Sequence, residues 1–272
     1  EAPAVRRAAA FALGELEEAA AIPALFRAAA DPDRETGMLA IEAVAKLGGD
    51  VIEAGVALEP LPEPERWRRL VPYLFRFRQE AKVALAVAAL DRKDLEPSER
   101  ATLHARAAFA LARDPLPAAA EPLRPLLTDS DPWVRSLAAR ALGQVGAAED
   151  LVRLRPLLVD AHLGVVIQAL RAGQRLVAEG KSAAPADWAP RIEELLSDSR
   201  SGVRLAAIEA AASWPSQANG TLAEGVAGIA ESGTGRERGA ALLSLAANGD
   251  GRAGALVEKA AGAEDAEVRA RA

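Results

Sequence analysis

The chain has 272 residues with ten aromatics, 66 alanines, no cysteine and a formal net charge of −6. Without cysteine it holds neither a disulfide framework nor a zinc–thiolate site. No apolar run reaches the roughly 18 residues of a membrane span, and the mild acidity argues against a surface built to neutralise phosphates. An aromatic content of 4% leaves too few large side chains for a thick core. The helices that so much alanine favours must therefore pack closely around a thin, long core, which excludes an all-β protein.

In chain order, the first element is a helix within Ala2-Pro-Ala-Val-Arg-Arg-Ala-Ala-Ala-Phe-Ala-Leu-Gly14, followed by a shorter helix over Ile22–Ala30. A second copy of the same pattern stands at Ala40-Ile-Glu-Ala-Val-Ala-Lys-Leu-Gly48. Residues 51–100 depart from it. Glu59-Pro-Leu-Pro-Glu-Pro-Glu65 inserts an acidic, proline-rich loop, and the next thirteen residues, Arg66 to Arg78, hold five arginines and four aromatics. A short helix over Glu80–Leu90 precedes a weaker copy at Ala105–Arg113 and another short helix at Ala118–Thr128.

The clearest copy is Asp131-Pro-Trp-Val-Arg-Ser-Leu-Ala-Ala-Arg-Ala-Leu-Gly143. Here Val134, Leu137, Ala138, Ala141, Leu142 and Val145 follow the i, i+3, i+4, i+7, i+8, i+11 spacing of one helical stripe. Asp131 is placed to cap the N-terminus, Pro132 sits at the first helical position and Gly146 supplies the stop. Further copies begin at Val165, Val203 and Arg238, each trailed by a short helix (Pro190–Ser197, Leu222–Glu231, Ala253–Ala261), with Asp150–Val159 trailing the clearest one. Asp265–Ala272 starts one more. The mean period is about 33 residues, and no segment alternates with the period of a strand. The expected architecture is all-α: an α-solenoid of about eight helical hairpins spanning 1–272 as one array, with an irregular repeat at 51–100. Both ends cut through a unit, so a longer array is expected.

The Asp-Pro-x-Val-Arg-x-x-Ala-Ala-x-Ala-Leu-Gly signature resembles the HEAT repeat, in the bacterial form shared with phycobilin-lyase-like proteins. The resemblance implies that the Val-Arg helix lines the concave face and the shorter helix the convex one. It also implies a binding scaffold, since the family's members are mostly scaffolds with unrelated partners.

Candidate residues follow from departures from the repeat. The motif arginines Arg6, Arg135, Arg204 and Arg269 could form a phosphate ladder, but a repeated position generally serves repeated structure, here pairing with the capping aspartate of its own or the adjacent unit, as with Asp131 and Asp265. On a helix, Trp67, Leu70, Val71, Leu74 and Phe77 would form one buried stripe. That would leave Arg66, Arg69, Arg76 and Tyr73 on the other side, either as a solvated basic face or as an anchor for an acidic protein surface. Trp133, at a position the repeat leaves exposed, is a candidate hot spot beside a groove. Trp188 and Trp214 flank helix ends beside prolines, where packing between units is expected. The only histidines, His104 and His162, lie far apart, so no metal site and no cofactor is expected. Exposed residues of mixed sign (Arg7, Glu15, Glu42, Lys46, Arg113, Arg140, Glu209) suit a protein partner, because mixed charge encodes register.

The reading that results is a non-enzymatic protein-interaction scaffold whose partner surface includes Arg66, Arg69, Tyr73, Arg76, Trp133 and Arg140. Two rivals follow from the resemblance, a tetrapyrrole lyase or chaperone subunit and a DNA-glycosylase-type nucleic-acid binder. The second requires a sustained basic groove, and outside 66–113 the sequence has none. Compartment and oligomeric state stay open.

Overall fold

The computed structural model describes residues 2–92, 94–181, 183–214, 220–233 and 235–261. The expected copy at Asp265–Ala272, with Arg269, lies outside them. The chain forms two compact units, residues 1–126 and 127–272.

The first unit contains α1 (Pro3–Glu15), α2 (Ile22–Ala29), α3 (Arg34–Lys46), α4 (Val51–Ala57), α5 (Glu63–Leu70), α6 (Ala81–Leu90), α7 (Pro97–Arg113) and α8 (Ala120–Leu123). The second contains α9 (Pro132–Val145), α10 (Asp150–Leu154), α11 (Leu163–Ala178), α12 (Ala189–Leu195), α13 (Ser201–Ala211), α14 (Gly220–Ser232), α15 (Gly235–Ala247) and α16 (Ala253–Ala261). Among the described residues there are eight hairpins and no strand. Within each unit the first helices of successive hairpins stack as one layer, α1 on α3 and α9 on α11 on α13 on α15. The second helices stack as the other, α2 on α4 on α6 and α12 on α14. Each hairpin thus buries its apolar stripe against its neighbours, the α-solenoid arrangement.

Local chemistry sets the helix ends. Asp33 accepts the Thr36 backbone N–H at 2.9 Å, Asp50 those of Ile52 and Glu53 at 2.8 and 3.0 Å, and Asp131 that of Trp133 at 2.8 Å. After α3 the chain turns through Gly48 at φ +77°, a conformation open to glycine without strain. The stripe expected on α9 is the buried one: Val134, Leu137, Ala138, Ala141 and Leu142 are at most 4% exposed, whereas Val145 is half-buried.

Prolines shorten several expected helices. Arg155–Val159, Pro125–Thr128 and Val71–Arg76 are 3₁₀ turns containing Pro156, Pro125 and Pro72. A proline lacks the N–H for the i→i−4 bond and crowds the carbonyl behind it. The third case corrects the stripe drawn through Arg66–Arg78. The helix stops at Leu70, so Leu70, Val71, Leu74 and Phe77 are buried but Trp67 is only half-buried.

The small side chains act where the layers meet. A Cβ on Gly14 would stand 2.9 Å from the Ala43 Cβ, and one on Gly143 only 2.7 Å from the Ala172 Cα. In these two copies the motif glycine is therefore a contact between neighbouring first helices, whereas Gly48, which closes the second copy, lies in the turn after α3 and faces open space. Trp188 and Trp214, both 1% exposed, stack at 5.5 Å between ring centres, and the Trp214 Nε1 donates to the Pro185 carbonyl at 3.0 Å. This is the inter-repeat packing expected of them.

Candidate functional site

The motif arginines are structural ties. Arg6 grips Asp31 with two bonds of 2.7 and 2.9 Å, and Arg135 grips Asp160 with two of 2.8 and 3.0 Å. Arg204 reaches Glu237 at 2.7 Å. Arg135 and Arg204 also donate back to the loop before their own helix, to the Asp129 and Asp198 carbonyls at 2.7 and 2.8 Å. Of the two expected partners, its own unit's aspartate or the adjacent unit's, Arg135 takes the adjacent one, Asp160, which stands in the loop two residues before the N-cap position of α11. The loop aspartates also shape their own turns, since Asp31, Asp129, Asp160 and Asp198 each accept the backbone N–H two residues on, at 2.8 to 2.9 Å. The two bonds from Arg6 hold the Asp31 carboxyl below its ordinary value. At Asp160, burial pushes upward, but the bonds from Arg135 and the His162 backbone outweigh it and leave the group lowered.

Of the six residues expected to bind a partner, two are tied to backbone. Arg66 donates to the Leu61 and Glu59 carbonyls, both at 2.7 Å, and so clips the acidic loop to α5. Arg69 is 2% exposed, not on an open basic face. Its guanidinium donates to the Ala29 and Asp31 carbonyls at 2.9 and 2.8 Å and to Glu65 at 3.1 Å. The reason lies one repeat earlier. Position 37, where a motif arginine would stand, is glycine, and a Cβ there would lie 2.1 Å from the Arg69 guanidinium. Arg69 supplies from the next repeat the bond to Asp31 that position 37 cannot make.

The other four lie at the surface or close to it. Tyr73 is half-buried, and burial raises its hydroxyl pKa, with the Glu42 charge adding to the effect. Arg76 pairs with Glu42 at 2.8 Å and lies over the Phe75 ring. Trp133 is 56% exposed on the first turn of α9, and exposed Arg140 follows two turns later on the same helix face.

Counting along each first helix from the residue before the motif arginine brings out two rows. Six residues on stand Phe11, Glu42, Phe109, Arg140, Arg171 and Glu209; ten residues on stand Glu15, Lys46, Arg113, Gln144 and Arg175. In the first unit these positions satisfy one another. Lys46 bonds Glu15, lies 3.6 Å from Glu42 and sits over the Phe11 ring, and Arg113 lies over Phe75 and Phe109, which meet edge to face at 5.2 Å. The hydrogen bond to Glu15 raises the Lys46 pKa. Beside the irregular repeat, Met38, Trp67, Pro72 and Leu103 with Arg68 and Arg106 enclose a pocket of about 370 Å³.

The second unit differs. Arg140, Gln144, Gln168, Arg171, Gln174, Arg175, Glu179 and Glu209 line a groove of about 820 Å³ along α9, α11 and α13. Two of its ion pairs are loose, Arg171 to Glu209 at 3.7 Å and Arg175 to Glu179 at 3.8 Å, while Glu179 pairs more closely with Lys181 at 3.1 Å. Of these residues the sequence singles out Arg140 and Glu209 but not Gln144, Gln168, Arg171, Gln174 or Arg175. Comparing the same position across copies, 31 residues from Arg140 to Arg171 and from Gln144 to Arg175, would have found two of them. Among the described residues no group of three or more His, Cys, Asp and Glu side chains is placed to hold a metal ion, and no helix is long and apolar enough to cross a membrane.

Residues 1–69 and 80–173 match the family model of HEAT repeats. Among curated proteins none matches the chain. Among solved structures, an engineered protein is similar over 97% of this chain and 82% of its own, at 20% identity and a TM-score of 0.56, a likeness in fold. A second engineered protein, 24% identical over 80% of this chain and 90% of its own, superposes only at a TM-score of 0.39.

Proposed function

Because the chain belongs to the HEAT-repeat family, we propose that it is a non-enzymatic interaction scaffold whose repeats, acting as one array, hold a protein partner along the first-helix layer. The observation that carries this reading is the division of labour among its arginines. Those at the motif position tie repeat to repeat, while the rows five and nine residues further on present side chains of mixed sign to solvent. Mixed charge in fixed rows suits recognition of a protein surface, since it sets register and rejects mismatched partners. Trp133 and Arg140, two turns apart on one face of α9, are the proposed anchors of the second unit. Within the first unit, Arg76 and Tyr73 are proposed as a contact surface of its own, held in shape by Arg66 and Arg69.

The test is cross-linked affinity capture from the native lysate, with and without nuclease, comparing the parent chain with Trp133→Ala/Arg140→Glu. The expected result is a stoichiometric protein that survives nuclease and is lost in the variant. Co-eluting nucleic acid lost on nuclease treatment, or a bound pigment absorbing visible light, would replace this reading with a nucleic-acid or tetrapyrrole function.

A further inference from the structure

We infer that the groove of the second unit is a binding site for an extended acidic peptide segment, with Arg171 and Arg175 taking its carboxylates and Gln144, Gln168 and Gln174 its backbone amides. This rests on the scaffold reading and names the partner's chemistry at one site.

The first support is a contrast within the chain. Many of its guanidinium groups are fully engaged: Arg6, Arg7, Arg34, Arg135, Arg200 and Arg204 each hold a carboxylate with paired bonds of 2.6 to 3.1 Å. In the groove, Arg171 and Arg175 stand only 3.7 and 3.8 Å from a carboxylate, too far for the paired fork-on-carboxylate bond. The three glutamines beside them add amide groups that both donate and accept, the same pair of functions that a peptide backbone presents. Side chains this rich in donors, grouped along one groove, make a ready receiving face.

The second support is geometric. Arg171 and Arg175 are one helical turn apart on α11, about 6 Å along the axis. Alternate residues of an extended chain repeat at about 6.8 Å and point to the same side. A segment with acidic residues at i and i+2, lying along α11, therefore meets both guanidinium groups in register. The floor permits it, because Gly143 against Ala172 brings α9 and α11 close and leaves the longer side chains as walls. Glu179 and Glu209, which also line the groove, repel a continuous polyanion such as nucleic acid more than a peptide whose charges alternate with neutral residues.

The experiment is a fluorescence-anisotropy titration at low salt with a fluorescein-labelled peptide of alternating Glu and Ser, roughly twelve residues long. The comparisons are the same peptide with every Glu replaced by Gln, and single-stranded oligothymidylate. We expect the acidic peptide to bind at least about tenfold more tightly than the neutral one, and Arg171→Glu/Arg175→Glu to lose about tenfold while keeping the parent's circular dichroism. Arg153→Glu, on the other helix layer, makes the same charge reversal at one site, half the double variant's total change, and is expected to bind as the parent does. Equal affinity for the two peptides, undiminished binding by the double variant, tighter binding of oligothymidylate, or no binding of the acidic peptide would each overturn the inference. If instead a native partner is captured equally by parent and double variant, the groove assignment fails while the scaffold reading stands. If no partner is captured although the peptide binds in the groove, the scaffold reading fails alone.

Discussion

Arg69 and Gly37 form a compensating pair. The guanidinium occupies the space a side chain at 37 would need and makes the bond to the Asp31 carbonyl that a motif arginine makes elsewhere. Arg69→Met leaves two carbonyls without their donor, at a cost of about 1–3 kcal/mol, and Gly37→Ala displaces the same group. The two effects overlap, so the double variant should be destabilised by clearly less than their sum, as a double-mutant cycle in urea would show. The glycines make a second residue-scale contrast. Gly143→Ala collides with the α11 backbone and should destabilise by about 1–3 kcal/mol. Gly228, mid-helix in α14, faces open space, and Gly228→Ala should stabilise by about 0.5–1 kcal/mol. Melting temperatures moving in opposite directions would verify both. Gly143 stands at the end of the repeated signature and Gly228 does not, yet both are interior to a helix and neither position by itself names a neighbour. What differs is whether another helix's backbone lies opposite.

At the scale of the element, Asp31 and Asp160 join one hairpin to the next, while Asp198 braces its own loop through Arg200, so their ionisation links pH to loop structure and stacking. The bonds from Arg200 hold the Asp198 carboxyl at about 2; Asp31 and Asp160 are lowered in the same direction. A group whose folded pKa is depressed contributes stability above its unfolded value, near 3.9, and loses it as pH falls through the folded one. Stability should therefore be level near neutrality and decline between about pH 4 and pH 2, with a shallower decline in Asp198→Asn. Far-UV circular dichroism against pH in dilute urea measures this. Lys82 acts at the other end of the scale. It is buried on α6 with its ammonium 3.3 Å from the Asp114 carbonyl, and desolvation lowers its pKa. The unfolded chain then binds the extra proton between the folded value and about 10.4, so stability should rise with pH across that window, and the rise should vanish in Lys82→Met.

For the whole molecule, contacts between neighbouring hairpins mean that stability is close to a sum over repeats and their interfaces. The repeats are unequal. The consecutive helices α14 and α15, from neighbouring hairpins, contain glycines at 220, 225, 228, 235 and 239, and their buried side chains are chiefly Ala, Val and Leu. Hairpin α9–α10, by contrast, has a capped first helix and an arginine tied to the next repeat. Amide exchange should be fastest in α14–α16 and slowest in α9 and α11; uniform protection along the chain would refute this gradient.

Repeat period, helix class, the α9 stripe and the role of the motif arginine as a tie to a nearby carboxylate were all legible in the sequence, because each depends on spacing along one helix or on a position repeated from copy to copy. The two tryptophans at helix ends were legible for the same reason. Three things were decided only by tertiary structure: which aspartate each arginine reaches, that Arg69 is buried in the place of a missing motif side chain, and that three arginines and three glutamines from two helices share one groove. In these cases the partners lie on different repeats, brought together by how closely the layers pack. That distance is set by the small residues opposite one another across the stack, Gly14 against Ala43 and Gly143 against Ala172, and a linear pattern of alanine and glycine does not say which of them meet.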